Sequence, residues 1–293
     1  MKKILFLSLI MTAALSSCNF DFSNFIKPVN PNEQNTENNE DQKEEQGEEE
    51  EEEEEKNPLD GKEFKNKTHY IEFNNTQEDK SLYFARNGYK NVDDMFGSYW
   101  VKNNVSNENV NGTLCAGLTL KDTQYKKQLT STGAEIMVGK GFFYGYYGTR
   151  MKTFSRKGTV QSFFMYNGPG LTEGAIWDEI DIEFLGKDTT KVQFNYFKNG
   201  VGGHEYIYDL GFDSKDDFHD YGFLWEQNTI TWFVDFKPVY MVEAALTQWG
   251  FPMLNVWGGN PNNEKAIEWL DKYETEEEIS YTTYYDYIIA NSL

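Results

Sequence analysis

The feature that most constrains this chain is a short run, residues 177–184, in which acidic and apolar side chains alternate as Trp-Asp-Glu-Ile-Asp-Ile-Glu-Phe. Successive side chains of a β-strand point to opposite faces, so Glu179, Asp181 and Glu183 share one face and the two isoleucines share the other. A solvated edge strand also tolerates acids, but the strongly apolar second face argues against an edge. We therefore expect a sheet that is buried on one side and carries a row of carboxylates on the other.

The rest of the chain from residue 70 onward also has the pattern of short strands. Apolar and aromatic runs alternate with Gly, Asn and Asp, and residues 221–225 and 229–234 have the pattern of a hairpin. This predicts an all-β sandwich or barrel. No nucleotide-binding glycine motif, HExxH or GxSxG is present. Residues 213–220 are acidic but lack the spacing of a calcium loop, so they predict a polar turn.

The spacing of the acids points to sugar chemistry. At a rise of about 3.3 Å per residue, the Cα atoms of Glu179 and Glu183 are about 13 Å apart. On a curved sheet their long side chains can lean together to about 5–5.5 Å, the separation used in retaining glycoside hydrolysis. Asp181 between them can share a hydrogen bond and keep their pKa values apart. Aromatic and amide side chains that alternate in neighbouring runs could complete a sugar cleft.

The charge of the chain is strongly negative and unevenly distributed. The formal net charge is -21, which excludes electrostatic binding of nucleic acid because phosphates need basic partners. Residues 1–60 hold 16 acidic and 5 basic side chains, including eight consecutive glutamates at 48–55. Such a segment cannot bury enough apolar surface to fold, so residues 18–60 predict a disordered acidic tether, with cation binding or adhesion as the alternative. Residues 61–293 form the predicted catalytic domain.

The start of the chain has the pattern of an export signal. Two lysines precede a short apolar run that ends in Leu-Ser-Ser before Cys18. The run is too short to span a bilayer, so residues 1–17 predict a signal peptide. The residues before Cys18 resemble a bacterial lipobox, which predicts lipidation of that cysteine; the alternative is an ordinary secretory signal with an incidental cysteine. Cys115 has no partner and is expected to be a buried, inert thiol.

Residues 177–204, with the acidic run and the later Asn-Gly-Val-Gly-Gly-His, resemble the bacterial lichenases of glycoside hydrolase family 16. This resemblance implies a concanavalin-like jelly roll of two curved antiparallel sheets with a cleft on the concave face. It further implies Glu179 as nucleophile, Glu183 as general acid/base and Asp181 as their assistant. The acids alternate without the extra residue usual in laminarinase-type relatives. By position, it places the substrate at Tyr89, Asn91, Phe96, Phe164, Tyr166, Trp177, Asn195, Trp257 and Trp269.

The chain departs from the family pattern at several positions. Met137 stands where an arginine is usual, Phe197 where a tyrosine is usual, and no cysteines are present near Ser98 and Gly133 for the frequent disulfide. The resemblance also implies a structural calcium ion held by the Asp286 carboxylate and the Gly112 carbonyl, away from the cleft. No cofactor is expected for catalysis.

Together these observations predict an exported, lipid-anchored bacterial enzyme that hydrolyses mixed-linkage β-1,3-1,4-glucan with retention. We expect it to be a monomer on the outer membrane or cell surface, with β-glucan and the membrane as its partners. A β-1,3-glucanase, a transglycosylase and a non-catalytic glycan-binding lipoprotein stay open as alternatives.

Overall fold

The structure, a computed structural model, describes residues 57–60, 69–74, 79–91 and 93–292. These residues form sixteen strands, two short α-helices and a 3₁₀ turn at Lys102–Asn104. The helices are α1 (Asp79–Leu82) and α2 (Glu264–Leu270). The strands are β1 (His69–Ile71), β2 (Tyr83–Ala85), β3 (Tyr99–Trp100), β4 (Val105–Val110), β5 (Thr113–Tyr125), β6 (Gln128–Val138), β7 (Gly145–Lys152), β8 (Thr159–Asn167), β9 (Asp178–Leu185), β10 (Lys191–Phe197), β11 (Tyr206–Asp209), β12 (His219–Trp225), β13 (Thr229–Val234), β14 (Lys237–Glu243), β15 (Phe251–Gly258) and β16 (Ser280–Ser292).

The predicted signal peptide, Cys18 and most of the predicted tether lie outside the described residues. All described residues belong to one compact unit, Glu52–Leu293. The boundary at residue 61 stays a prediction. Within the described part of the chain, no helix has the length and apolar character needed to cross a membrane.

The strands form one hydrogen-bonded ladder that folds over into two layers. Its order is β11-β10-β9-β8-β15-β6-β5-β16-β7-β12-β13-β14, with β1, β2, β3 and β4 added at the sides. Strand β6 belongs to both layers, because residues 128–132 pair with β5 and residues 134–137 pair with β15. All pairings except β3 with β6 are antiparallel among the described strands. The predicted all-β jelly-roll architecture is confirmed.

The core lies between the two layers. Ile180 and Ile182 of the acidic strand are fully buried, which confirms the apolar face predicted for residues 177–184. Aromatic rings join the layers: Phe163 stacks on Phe223 with centroids 5.9 Å apart, and Phe194 stacks on Trp232 at 5.6 Å. Burial of each such side chain stabilises the fold by about 1.5–3 kcal/mol. The carboxylate strand is therefore held from behind by a continuous apolar layer.

Cys115 and the two positions that lack the disulfide cysteines, Ser98 and Gly133, all lie within the described residues. Cys115 is free and fully buried, as predicted, and burial raises the pKa of its thiol to about 12, which disfavours the reactive thiolate. Ser98 and Gly133, the positions without cysteines, lie side by side. The Ser98 hydroxyl pairs with that of Ser131 at 2.6 Å and accepts the Gly258 amide at 2.8 Å. Hydrogen bonds thus connect the two segments at which the family resemblance implies a disulfide.

Candidate active site

Three rows of side chains cross the face that carries Glu179, Asp181 and Glu183, which we call the cleft face. Opposed residues of antiparallel strands point to the same side of a sheet, so the register defines the rows. The register of β9 with both neighbours is unbroken from Glu179 to Glu183. The rows are Phe251, Tyr166, Glu179 and Phe197; Met137, Met253, Phe164, Asp181 and Asn195; and Glu135, Asn255, Ser162, Glu183 and Gln193. The fold therefore brings the predicted Tyr166, Phe164 and Asn195 beside the carboxylates.

Glu179 receives two hydrogen bonds. The indole Nε1 of Trp177 donates to its Oε2 at 2.6 Å, and Asp181 forms a second side-chain hydrogen bond to it. Trp177 is itself held by a parallel stack on Phe197 with centroids 4.6 Å apart. Burial raises the pKa of Glu179 and the charge of Glu183 adds to this, while the two hydrogen bonds act in the opposite direction.

The pKa of Asp181 is raised by both of its acidic neighbours. Its side chain is buried, and burial together with the charges of Glu179 and Glu183 holds its pKa well above the usual range. The hydrogen bond to Glu179 raises that pKa further, because it is made by the protonated form. Behind the strand, the indole of Trp232 donates to the Asp181 carbonyl oxygen at 3.0 Å, which fixes the backbone from the core side.

Glu183 accepts a hydrogen bond at its Oε2 from Nε2 of Gln193, at 2.8 Å. Burial raises its pKa, the hydrogen bond from Gln193 lowers it, and the charge of Glu205 raises it. Gln193 stands opposite Glu183 on the neighbouring strand. Gln193 belongs to one of the alternating runs of the sequence, but the sequence did not predict it as a site residue.

The three carboxyl groups cannot all be ionised near neutral pH. Each carboxyl group is buried away from water, and each negative charge raises the free energy needed to ionise the next carboxyl group. Two donors converge on Glu179, one of them the protonated Asp181, so Glu179 is best placed to hold the negative charge. With that charge on Glu179, a proton on Glu183 limits the trio to one negative charge. The arrangement can supply a charged nucleophile and a protonated acid from the same strand.

Asp178 anchors the strand that carries the acids. Its buried carboxylate accepts the backbone N–H groups of Asn199 at 2.8 Å, Thr247 at 2.8 Å and Gln248 at 3.0 Å. These residues belong to two loops that flank the entry of β9. The sequence pattern gave Asp178 no role. The pattern places Asp178 on the same face as the two isoleucines, but it does not show which groups the carboxylate binds.

A fourth buried acid, Glu135, lies on the cleft face. Burial raises its pKa to about 7, against the opposing influence of Arg86, whose Nε lies 3.7 Å from Glu135 Oε1. Arg86 donates to the Tyr89 hydroxyl at 2.6 Å, and that hydroxyl donates to Glu135 at 3.3 Å. Sequence reasoning missed this group. An acid within the otherwise apolar run 134–138 was a usable signal for Glu135. Arg86 is placed beside it only by the pairing of β2 with β6, which the Arg86 N–H continues by donating to the Glu135 carbonyl oxygen at 2.9 Å.

The remaining predicted cleft residues form an aromatic cluster beyond the acids. Phe96 covers Trp257 with centroids 4.1 Å apart, and Trp257 is only 3% exposed. The side-chain oxygen of Asn91 accepts the indole N–H of Trp100 at 2.9 Å. Trp269 lies on α2 with its ring centroid 6.0 Å from that of Trp257. Trp257 and Asn91 thus support neighbouring rings, while Phe96 and Trp269 form the outer part of the cluster.

The region of the expected calcium ion contains a different interaction. The Asp286 carboxylate, at a bulge of β16, accepts a hydrogen bond from Arg150 Nη1 at 2.7 Å, and Gly112 lies in the β4–β5 turn. In the described part of the chain, no three His, Cys, Asp or Glu side chains are grouped to hold a metal. A carboxylate already neutralised by a guanidinium does not fit a calcium ion. The calcium site therefore stays a prediction, and the Arg150–Asp286 ion pair does not support it.

Melting curves test the calcium prediction. With Arg150 paired to Asp286, we expect the wild-type protein to unfold at the same temperature in calcium and in chelator. Arg150→Met frees the carboxylate and should lower the melting temperature, and any stabilisation by calcium should appear only in this variant. An increase in the wild-type melting temperature with calcium, lost in Asp286→Ala, would support the site implied by the resemblance instead.

A curved β-sandwich with buried, differently hydrogen-bonded carboxyl groups on one face, flanked by aromatic rings, defines a glycoside hydrolase. The chain belongs to glycosyl hydrolases family 16, whose sequence pattern matches residues 92–273.

Known proteins similar to this chain include bacterial glucanases. A beta-glucanase of Bacillus licheniformis is 41% identical over 70% of this chain and 78% of its own length. A beta-glucanase of Acetivibrio thermocellus is 46% identical over 57% of this chain, and the match spans only half of that longer protein. A crystal structure of a beta-1,3-1,4-glucanase (lichenase) from a mouse hindgut metagenome superimposes with a TM-score of 0.68 and 38% identity, over 77% of this chain and 99% of that one.

Proposed function

We propose that this protein is an endo-acting β-glucanase that hydrolyses mixed-linkage β-1,3-1,4-glucan with retention of anomeric configuration. The observation that carries the proposal is the acidic trio on one strand, with two donors on Glu179 and one on Glu183. The similarity to named beta-glucanases and to a lichenase structure supports the substrate class. The unbroken register of β9 supports the same class, because laminarinase-type relatives usually carry an extra residue there.

In the first chemical step, the Glu179 carboxylate attacks the anomeric carbon. The bond from that carbon to the glycosidic oxygen breaks, and the oxygen takes the proton of Glu183. The protonated Asp181 and the Trp177 indole hold the attacking carboxylate in place until attack begins. Negative charge leaves Glu179 as the covalent bond forms and appears on Glu183 as its proton departs, so the trio carries one negative charge throughout this step.

In the second step, Glu183 has lost its proton and serves as a base. It takes a proton from a water molecule, whose oxygen attacks the anomeric carbon and releases Glu179. Two inversions at one carbon give net retention. The Gln193 amide, a hydrogen-bond donor, stabilises the ionised Glu183 between the two steps.

Polysaccharide digestion tests the proposal. The whole protein, solubilised in detergent, should rapidly lower the viscosity of barley β-glucan and lichenan, and proton NMR should show the β-anomer as the first product. Glu179→Gln serves as the matched inactive control. Preferential cleavage of laminarin would indicate a β-1,3-glucanase instead. Exchange of chain ends without new reducing ends, on these glucans or on xyloglucan, would indicate a transglycosylase, and binding without cleavage a glycan-binding protein.

We further propose that the protein is an exported lipoprotein, anchored through Cys18 on the outer membrane or cell surface. The support is the sequence alone: a short apolar run ending in small residues before the cysteine, followed by an acidic segment suited to a solvated tether. Several acyl chains on one cysteine anchor stably, whereas a single chain anchors only marginally. The monomeric state stays a prediction.

Cys18→Ala tests the anchor. Wild-type protein expressed with its own leader should enter the detergent phase of a cloud-point partition, and the variant should move to the aqueous phase or stay unprocessed. Its glucanase activity should be unchanged, because the substitution lies outside the catalytic domain. Wild-type protein found entirely in the aqueous phase would refute lipidation.

A further inference from the structure

The side-chain amide of Gln193 lies between the candidate acid and a tryptophan. Its Nε2 donates to Glu183 Oε2 at 2.8 Å, and its Oε1 accepts from the indole Nε1 of Trp269 at 3.0 Å. Gln193 is 4% exposed, so water has little access to either bond. The three side chains come from three elements, β9, β10 and α2, and meet only in the folded protein.

The chemistry of the indole determines which way the amide points. An indole nitrogen can only donate a hydrogen bond, so the atom that faces Trp269 has to be the amide oxygen. The amide nitrogen is then directed at Glu183 as a donor. Without Trp269, a half-turn of the amide would present its oxygen to Glu183. An oxygen there would favour the protonated acid and oppose the carboxylate.

Trp269 is held from several sides. The cap of α2 is the Asn263 side chain, which accepts the Ala266 amide at 3.0 Å, and the neighbouring Leu270 is fully buried. The Trp269 carbonyl oxygen accepts a hydrogen bond from Lys187, two residues after the end of β9. The helix is thereby fastened to the end of the strand that carries Glu183.

The charged groups that interact with Glu183 are acidic: Glu179 and Asp181 lie on its own strand, and Glu205 precedes β11. Glu135, paired with Arg86, lies further along its row of the cleft face, and Lys187 is bound to the Trp269 carbonyl oxygen. Gln193 is therefore the group among these neighbours that favours the ionised form of Glu183. Its orientation matters for both chemical steps, since Glu183 has to lose a proton in the first and regain one in the second.

We propose that Trp269 is a positioning residue for Glu183 and acts on it through Gln193. This rests on the proposed function, in which Glu183 is the general acid/base. Trp269 keeps the Gln193 N–H directed at the carboxyl group of Glu183. Because Trp269 lies on α2, the position of this helix affects proton transfer by Glu183.

The pH profile of kcat/KM tests the proposal, because its basic limb reports the loss of the proton from the acid. Trp269→Phe keeps an aromatic ring but removes the indole N–H, and it should move the basic limb upward by about one pH unit, the scale of one hydrogen bond to a charged group. Gln193→Leu should move the limb in the same direction. The double variant should show no further shift from Trp269→Phe, because the effect passes through Gln193.

Two control variants show which part of the proposal is wrong if the expected shifts of the pH profile are not observed. Trp257→Phe removes an indole N–H from the same aromatic cluster and is expected to change KM while leaving the limb in place. Glu183→Gln, assayed on an activated glycoside, should lose the basic limb; if the limb persists, the role of Glu183 is wrong and the proposal falls with it. If the limb is lost in Glu183→Gln but unmoved in both Trp269→Phe and Gln193→Leu, the proposal about Trp269 alone is overturned. Melting temperatures of the variants identify any that do not fold.

Discussion

Glu179→Ala is expected to lower kcat on β-glucan by on the order of 10⁴-fold or more, the scale seen when another hydrolase loses its covalent nucleophile. The loss follows from the covalent path, in which only Glu179 reaches the anomeric carbon as a charged group with two donors behind it. The fold should survive, because the substitution removes a charge that burial makes costly. Purified variant and wild type are compared by release of reducing ends and by melting temperature.

Small anions provide the diagnostic for this variant. Azide or formate can occupy the space of the missing carboxylate and restore turnover of an activated glycoside. Because only one displacement then takes place, the glycosyl azide should carry inverted configuration, which NMR reads directly. Activity near the wild-type level, or rescue with retained configuration, would contradict Glu179 as nucleophile.

Glu183→Gln should produce a large loss that depends on the leaving group. General acid catalysis contributes about 10²–10⁴-fold, and most of that is expected to be lost on β-glucan, whose leaving alcohol needs a proton. An aryl glycoside with an acidic phenol departs without protonation, so its first step should be nearly unaffected. The amide keeps the size of the side chain and its contact with Gln193, which separates loss of the proton from loss of packing.

Rates on a series of aryl glycosides of graded phenol pKa check this expectation. The variant should show a steep dependence of rate on phenol pKa, while the wild type shows a shallow one. Equal losses on polysaccharide and activated substrates would argue against the acid role. Asp181→Asn is the matched comparison: it replaces the neighbouring carboxyl group by an amide of the same size and should not steepen the dependence in the same way.

Much of the site was predictable because its main elements are local. The alternation at residues 177–184 determines which face each acid occupies, since a β-strand has a period of two whatever surrounds it. The apolar partners of the acids are buried, as predicted. Tyr166, Phe164 and Asn195 were predicted by the same alternation in neighbouring strands and by family resemblance, and the register places them beside the trio.

The sequence by itself therefore determined the fold class and the identity of the three acids, because period-two patterning and composition are properties of a single strand. The tertiary structure decided how the acids differ from one another. The Gln193–Trp269 contact, the Arg86–Glu135 pair and the stack of Phe197 on Trp177 join residues far apart in the chain, and register and loop docking bring them together. The pKa of a carboxyl group depends on its burial and on the donors and charges that surround it, and these exist only once the chain is folded.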